Sequence, residues 1–165
     1  MPGGAIVLGA ETAAGRALAG ALAERGAPLA LVAAKAASET AFAVQRLASR
    51  LGAQSQAINA TNEMAVRVMV RQVAKALGGL DLLAFCADLG DGTGEALALA
   101  VRFASREMSR SGGGTVLVAL PAERAVELGD AAEGVAVVFV ETPSEPDEGW
   151  ARDALARLER DRPSL

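Results

Sequence analysis

The chain contains no Tyr and no His, a single Cys, a single Trp and four Phe, and its only lysines are Lys35 and Lys75. Without His it has neither the commonest protein metal ligand nor the commonest general base at neutral pH. Without Tyr a second proton donor is gone, and any reaction that needs a lysine beyond residue 75 is excluded. Cys86 stands alone, which rules out an intramolecular disulfide and a cysteine-rich metal site. No apolar run approaches the ~20 residues of a membrane-spanning helix, and the N-terminal stretch lacks the charged region, long apolar run and cleavage site of a secretion signal. A soluble cytoplasmic protein with no membrane contact and no bound metal is the expectation.

What is present suits one domain spanning 1–165, because a chain of 165 residues buries roughly 70% of the surface it exposes when unfolded. The composition is 52% hydrophobic, mostly Ala, Val and Leu, so the core must be aliphatic. The net charge is −4, with 11 basic and 9 acidic side chains in residues 1–120 against 5 and 11 in 121–165. Neither part shows the clustered Lys and Arg that phosphate contacts require, so no nucleic-acid partner is expected.

Along the chain, short apolar runs alternate with helical patterns. Strands are expected at 5–8, 28–33, 54–59, 80–87, 115–120 and 135–140, the third of them weak. Helices are expected at 14–25 and at 39–51, anchored by Phe42, Leu47 and Leu51. A third runs to Leu77, capped by Thr61 or Asn62, with Ala65, Val68, Met69, Val73 and Ala76 as its apolar face. A fourth, of about four turns, follows the glycine-rich turn at 90–94 and ends near Arg110. Shorter helical segments follow at 122–128 and 148–160. Parallel strands need crossovers long enough to hold a helix, so this alternation predicts an α/β fold: a doubly wound parallel sheet of six strands in the order 3-2-1-4-5-6.

The stretch Leu8-Gly9-Ala10-Glu11-Thr12-Ala13-Ala14-Gly15 joins the first strand to the first helix. Small residues at Gly9, Ala13 and Gly15 let backbone come close to a pyrophosphate, whose charge is met by the free N–H groups and dipole of the helix N-terminus. The spacing resembles the Thr-Gly-x-x-x-Gly-x-Gly motif of the short-chain dehydrogenase/reductases, with Ala13 replacing the middle glycine. In the same register, Asn59-Ala60-Thr61 resembles the family's Asp-x-Ser/Thr element at the adenine, and Phe85-Cys86-Ala87-Asp88 its Asn-Asn-Ala-Gly element, of which only Ala87 is retained. The stretches 113–118 and 137–143 resemble its fifth and sixth strands, with Pro143 matching the family's proline. The resemblance implies a nucleotide site made of Gly9, Thr12, Ala13, Ala14, Gly15, Lys35, Asn59, Ala60 and Ala87. The cofactor would be NADP or NAD, or none.

For the cofactor choice, a carboxylate at the end of the second strand would bind the ribose 2′-hydroxyl of NAD and repel a 2′-phosphate. Ala33-Ala34-Lys35 stands there, so Lys35 favours NADP if a dinucleotide binds; an ordinary solvated lysine opening a loop is the equal alternative.

The family's hydride transfer uses a Tyr-x-x-x-Lys pair, a Ser after the fifth strand and an Asn in the fourth helix. None carries over: the serine position is Pro121, the asparagine position falls near Thr93, and Pro121 and Gly134 lie only 13 positions apart, too few for the helix that would bear the Tyr and Lys. No catalytic residue is assigned. Asp88 and Asp91 could pair for metal or acid–base work but read more simply as turn formers, and Cys86 as a small core residue. Glu11 would oppose a pyrophosphate if it pointed inward. The chain therefore resembles a truncated, divergent short-chain dehydrogenase. The leading expectation is a nucleotide-binding or assembly module without hydride transfer, a pseudoenzyme. The alternative is an NADP-dependent oxidoreductase of carbonyl or alcohol substrates with a non-standard or partner-completed site. In the family the fourth and fifth helices build a dimer interface. Leu97, Val101 and Ala104 are accordingly expected to be available for self-association, or for pairing with an active homologue.

Overall fold

The computed structural model describes residues 3–124, 126 and 131–161. Six strands, β1 (Gly4–Leu8), β2 (Leu29–Ala33), β3 (Gln54–Ala57), β4 (Leu80–Phe85), β5 (Gly114–Leu120) and β6 (Val135–Glu141), alternate with five helices. These are α1 (Ala13–Glu24), α2 (Ser38–Leu51), α3 (Glu63–Leu77), α4 (Thr93–Arg110) and α5 (Glu148–Asp161), with one 3₁₀ turn at Gly90–Gly92. The strands form a single sheet in the order β3-β2-β1-β4-β5-β6, every neighbouring pair parallel. This is the doubly wound topology expected from the alternation of strand and helix patterns.

Period-two alternation divides the central strands between two helical layers. Ile6 and Leu8 of β1, with Leu83, Phe85, Val116 and Val118, pack under α3 and α4. Ala5 and Val7, with Leu29, Leu31, Leu117 and Ala119, pack under α1, α2 and α5. Buried on both faces, β1 and β2 are continuous apolar runs and β4 is one apart from Asp81, whereas β3 at the edge is polar and half exposed. Asn62 caps α3 by accepting from the Ala65 N–H at 2.9 Å. Gly78, at φ +77°, ends the helix in a left-handed conformation that side chains disfavour.

Several expectations are corrected. Phe42 is 60% exposed; Leu47 anchors α2 as expected, joined by Val44 and Ala48, with Leu51 half-buried beside them. The inward face of α3 is Val66, Met69, Val70, Val73 and Ala74, while Val68 and Ala76 face solvent. The 18 residues of α4 make five turns, because the helix begins at Thr93 inside the glycine-rich turn. Leu97, Val101 and Ala104 are no more than 2% exposed; they seat α4 on the sheet and are not available to a partner. The segment 121–124 is a turn closed by the Arg124 N–H on the Pro121 carbonyl at 3.0 Å. The rest of the helix expected at 122–128 falls mainly at 125 and 127–128, outside the described residues.

Candidate functional site

The C-terminal ends of β1, β2, β3 and β4 meet along one edge of the sheet, and the order reverses between β1 and β4. In open α/β sheets this switch point is where ligands bind. Gly9 leaves β1 at φ +95°, and a Cβ built on it would lie 2.5 Å from the Ala87 N atom at the end of β4. Only glycine fits that approach. A Cβ on Gly15 would lie 2.3 Å from the Gly9 carbonyl oxygen, so Gly15 sets how closely α1 docks on the turn. Thr12 holds the junction from both sides: its hydroxyl donates to the Gly9 carbonyl at 2.8 Å and accepts from the Gly15 N–H at 3.0 Å.

That arrangement leaves the backbone N–H groups of Glu11, Ala13 and Ala14 without an acceptor among the described residues. They lie at the positive end of the α1 dipole, the donor set a diphosphate requires. Ala13 is exposed and its backbone φ is negative, so nothing in the fold demands glycine there. The turn is tied to β2 by the Gly9 and Ala10 N–H groups, both donating to the Val32 carbonyl.

The far side of the turn holds a residue whose part was not legible in the sequence. Glu11 extends toward β2, and both its carboxylate oxygens accept from the Ala34 N–H at 3.2 Å. Arg16 donates to the Glu11 backbone carbonyl at 2.7 Å. Lys35 is exposed. Ala60 is fully buried, its N–H on the Ala34 carbonyl at 3.2 Å. Asn59 is exposed and turns the chain locally, its Oδ1 accepting from both the N–H and the hydroxyl of Thr61. The structure thus gathers Gly9, Thr12, Ala13, Ala14, Gly15, Ala60 and Ala87 at the strand ends. It leaves Lys35 as an exposed residue beyond β2 and gives the Asn59 carbonyl oxygen of the side chain a turn-forming role.

Beyond β4 the arrangement changes. The Asp88 carboxylate pairs with Arg124 at 2.8 Å, and Arg124 also donates to the Gly90 carbonyl. This bridge ties the end of β4 to the turn after β5, a pairing of residues 36 positions apart that no local pattern in the chain signals. Thr93 is buried and accepts from the Leu89 N–H at 2.9 Å, and Pro121 has no hydroxyl to offer. Cys86 is buried, and its thiol is pushed up, first by burial and then by the Glu11 carboxylate. Among the described residues no cluster of three His, Cys, Asp or Glu side chains could hold a metal, and no helix is long and apolar enough to cross a membrane.

Against known proteins, a family model described as enoyl-(acyl carrier protein) reductase matches residues 9–150. No curated protein sequence matches significantly. Among solved structures, the chain is similar to sorbitol-6-phosphate 2-dehydrogenase from Erwinia amylovora, at 24% identity and TM-score 0.59, with 71% of this chain and 54% of that one covered. It is also similar to an NADPH-dependent 3-quinuclidinone reductase from Rhodotorula rubra, at 21% identity and TM-score 0.64, with 98% and 65% covered. A short-chain dehydrogenase/reductase family oxidoreductase from Aeromonas hydrophila matches at 16% identity and TM-score 0.67, with 99% and 92% covered. The chain therefore spans less than two thirds of the length of the first two and nearly all of the third.

Proposed function

Because the chain belongs to the short-chain dehydrogenase/reductase family, we propose that it binds a nicotinamide dinucleotide at the Gly9–Gly15 turn without carrying out the family's hydride transfer. The observation that carries the binding half is the trio of unpaired N–H groups at Glu11, Ala13 and Ala14 beside the close approach of Gly9 to Ala87. The donor set fits a diphosphate.

The chemistry half rests on composition. A carbonyl reduced by hydride needs a proton donor at its oxygen, and the chain has no Tyr or His, with no lysine after Lys75. Asp88, the first acid after β4, is engaged by Arg124. The dinucleotide would be held and oriented by this chain's residues, with its hydride not transferred. The unpaired Cys86 thiol suits a reducing, cytoplasmic setting.

A second reading, an NADP-dependent oxidoreductase completed by a partner subunit such as an active homologue, draws on the exposed Lys35 just past β2. One pair of measurements separates the two. Calorimetric titration with NADH and NADPH is expected to show saturable binding, and a panel of aldehydes and ketones is expected to give no cofactor oxidation at 340 nm. Oxidation by the isolated chain refutes the first reading, oxidation that rises above the homologue's own when the chain is added to an active homologue supports the second, and absence of binding refutes both.

A further inference from the structure

Residue 11 lies between the Gly9 bend and the Thr12 helix cap. The chain places a glutamate there and pins it. Both carboxylate oxygens stand 3.2 Å from the N atom of Ala34, the residue immediately after β2. Arg16, the nearest cation along the helix, engages the Glu11 carbonyl and leaves the carboxylate unpaired by an ion. The last residues of β2 and those after it, Ala33-Ala34-Lys35, bring no acid of their own.

From this geometry we infer that Glu11 makes the site selective for an adenine dinucleotide with a free ribose 2′-hydroxyl over one carrying a 2′-phosphate. The inference rests on the dinucleotide reading above and reverses the preference that Lys35 alone suggests. In dinucleotide-binding folds the ribose lies at the end of the second strand, where an acid accepts from its hydroxyls. Here the turn after β1 delivers that acid instead. A carboxylate has about four lone-pair sites, and the Ala34 N–H occupies one region of them, so the remainder can accept from a 2′-hydroxyl. A 2′-phosphate at the same place meets a like charge that the Ala34 hydrogen bond keeps from swinging away. Lys35 opposes this only from an exposed, solvent-screened position. The charge at residue 11 also reaches Cys86 at the end of β4, so its field covers the floor of the switch point.

The test is calorimetric titration of NAD and NADP against the wild-type chain, Glu11→Gln and Lys35→Ala. The wild type is expected to bind NAD about tenfold or more tightly than NADP, a modest demand on two like charges a few ångströms apart. Glu11→Gln keeps the hydrogen bond to Ala34 and removes the charge; its NAD-to-NADP ratio is expected to fall to within about threefold, chiefly through tighter NADP binding. Lys35→Ala is expected to widen the wild-type ratio. If Glu11→Gln melts below the assay temperature, the wild-type ratio and its narrowing in 0.5 M salt, about the point where screening reaches short range, decide instead. Equal affinities, a preference for NADP, or an unchanged ratio in Glu11→Gln overturns the inference while leaving dinucleotide binding intact. No binding of either cofactor by any variant overturns both.

Discussion

Cys86 and Glu11 illustrate how little of a residue's role is visible from its neighbours in the chain. Flanked by Phe85 and Ala87, Cys86 reads as a small core residue, and it is one, only 2% exposed. Its protonation has a consequence for stability. Burial, helped by the Glu11 carboxylate, raises the thiol above its ordinary pKa. A group raised on folding stabilises fully below its unfolded pKa, about 8.5 for Cys, and that contribution is lost as pH climbs beyond it, at up to about 1.4 kcal/mol per pH unit. Urea melts of wild type and Cys86→Ala between pH 7 and pH 10.5 measure it. At pH 7 the wild type is expected to be the more stable through packing, and the gap is expected to shrink steadily above pH 9. A gap that stays constant means the thiol does not titrate differently in the folded chain. Glu11 taught the opposite lesson: the sequence allowed it to point at a pyrophosphate or away, and only the register that places Ala34 beside the turn decides that it points at β2.

At the scale of elements, much was legible because local signals agreed with the tertiary arrangement. The short apolar runs of β1, β2, β4 and β5, bounded by glycine and too short for helices, read as strands buried on both faces, and glycines marked the helix ends. The misplaced anchors have a common cause. Phe42 and Val68 are apolar but lie outside the arc that faces the sheet, and hydrophobicity counted along a helix does not reveal which of two overlapping stripes is inward. The start of α4 was missed because Gly92 and Gly94 read as a turn, although Gly94 lies within the helix. The α1–β1 junction yields a prediction in which two glycines of one helix behave oppositely. Gly15→Ala puts a methyl against the Gly9 carbonyl, and overpacking of that kind costs about 3 kcal/mol. The melting temperature is then expected to fall by roughly 6–12 °C. Gly20→Ala meets only the end of the Glu148 side chain at 3.2 Å, and removing a mid-helix glycine gains about 0.5–1 kcal/mol. It is expected to be neutral or to raise the melting temperature. Thermal melts of both variants check the pair, and similar losses in the two would mean that Gly15 does not fix the docking of α1.

At the scale of the whole molecule the expectation that Lys and Arg lie unclustered is corrected. Arg67, Arg71 and Lys75 lie four residues apart along α3, Arg102, Arg106 and Arg110 do the same along α4, and all six are exposed. Folding sets the two helices side by side with Phe103 and Glu107 between them. Arg102 and Arg106 stack on the Phe103 ring at 5.0 and 5.5 Å. The acids that answer the two rows are Glu63, 3.1 Å from Arg102, and Glu107, 3.2 Å from Arg110. Like charges four apart on a helix are unfavourable to the isolated chain, and the apolar residues that could have offset them in an interface, Leu97, Val101 and Ala104, are committed to the core. A two-fold pairing of identical copies presents each patch to itself, so joining this layer to its own copy would set arginine rows against arginine rows. Self-association through α4 is therefore expected to be absent at low ionic strength, and a partner for this face is expected to be acidic. Light scattering of the chain at high concentration in 20 mM and in 500 mM salt tests the first point, with the double reversal Arg102→Glu, Arg106→Glu mixed with wild type as the complement. Mass of a single copy at low salt, with association appearing only in the mixed sample, is the expected result. A wild-type dimer at low salt that the double reversal disrupts would show that this face joins identical copies despite its charge.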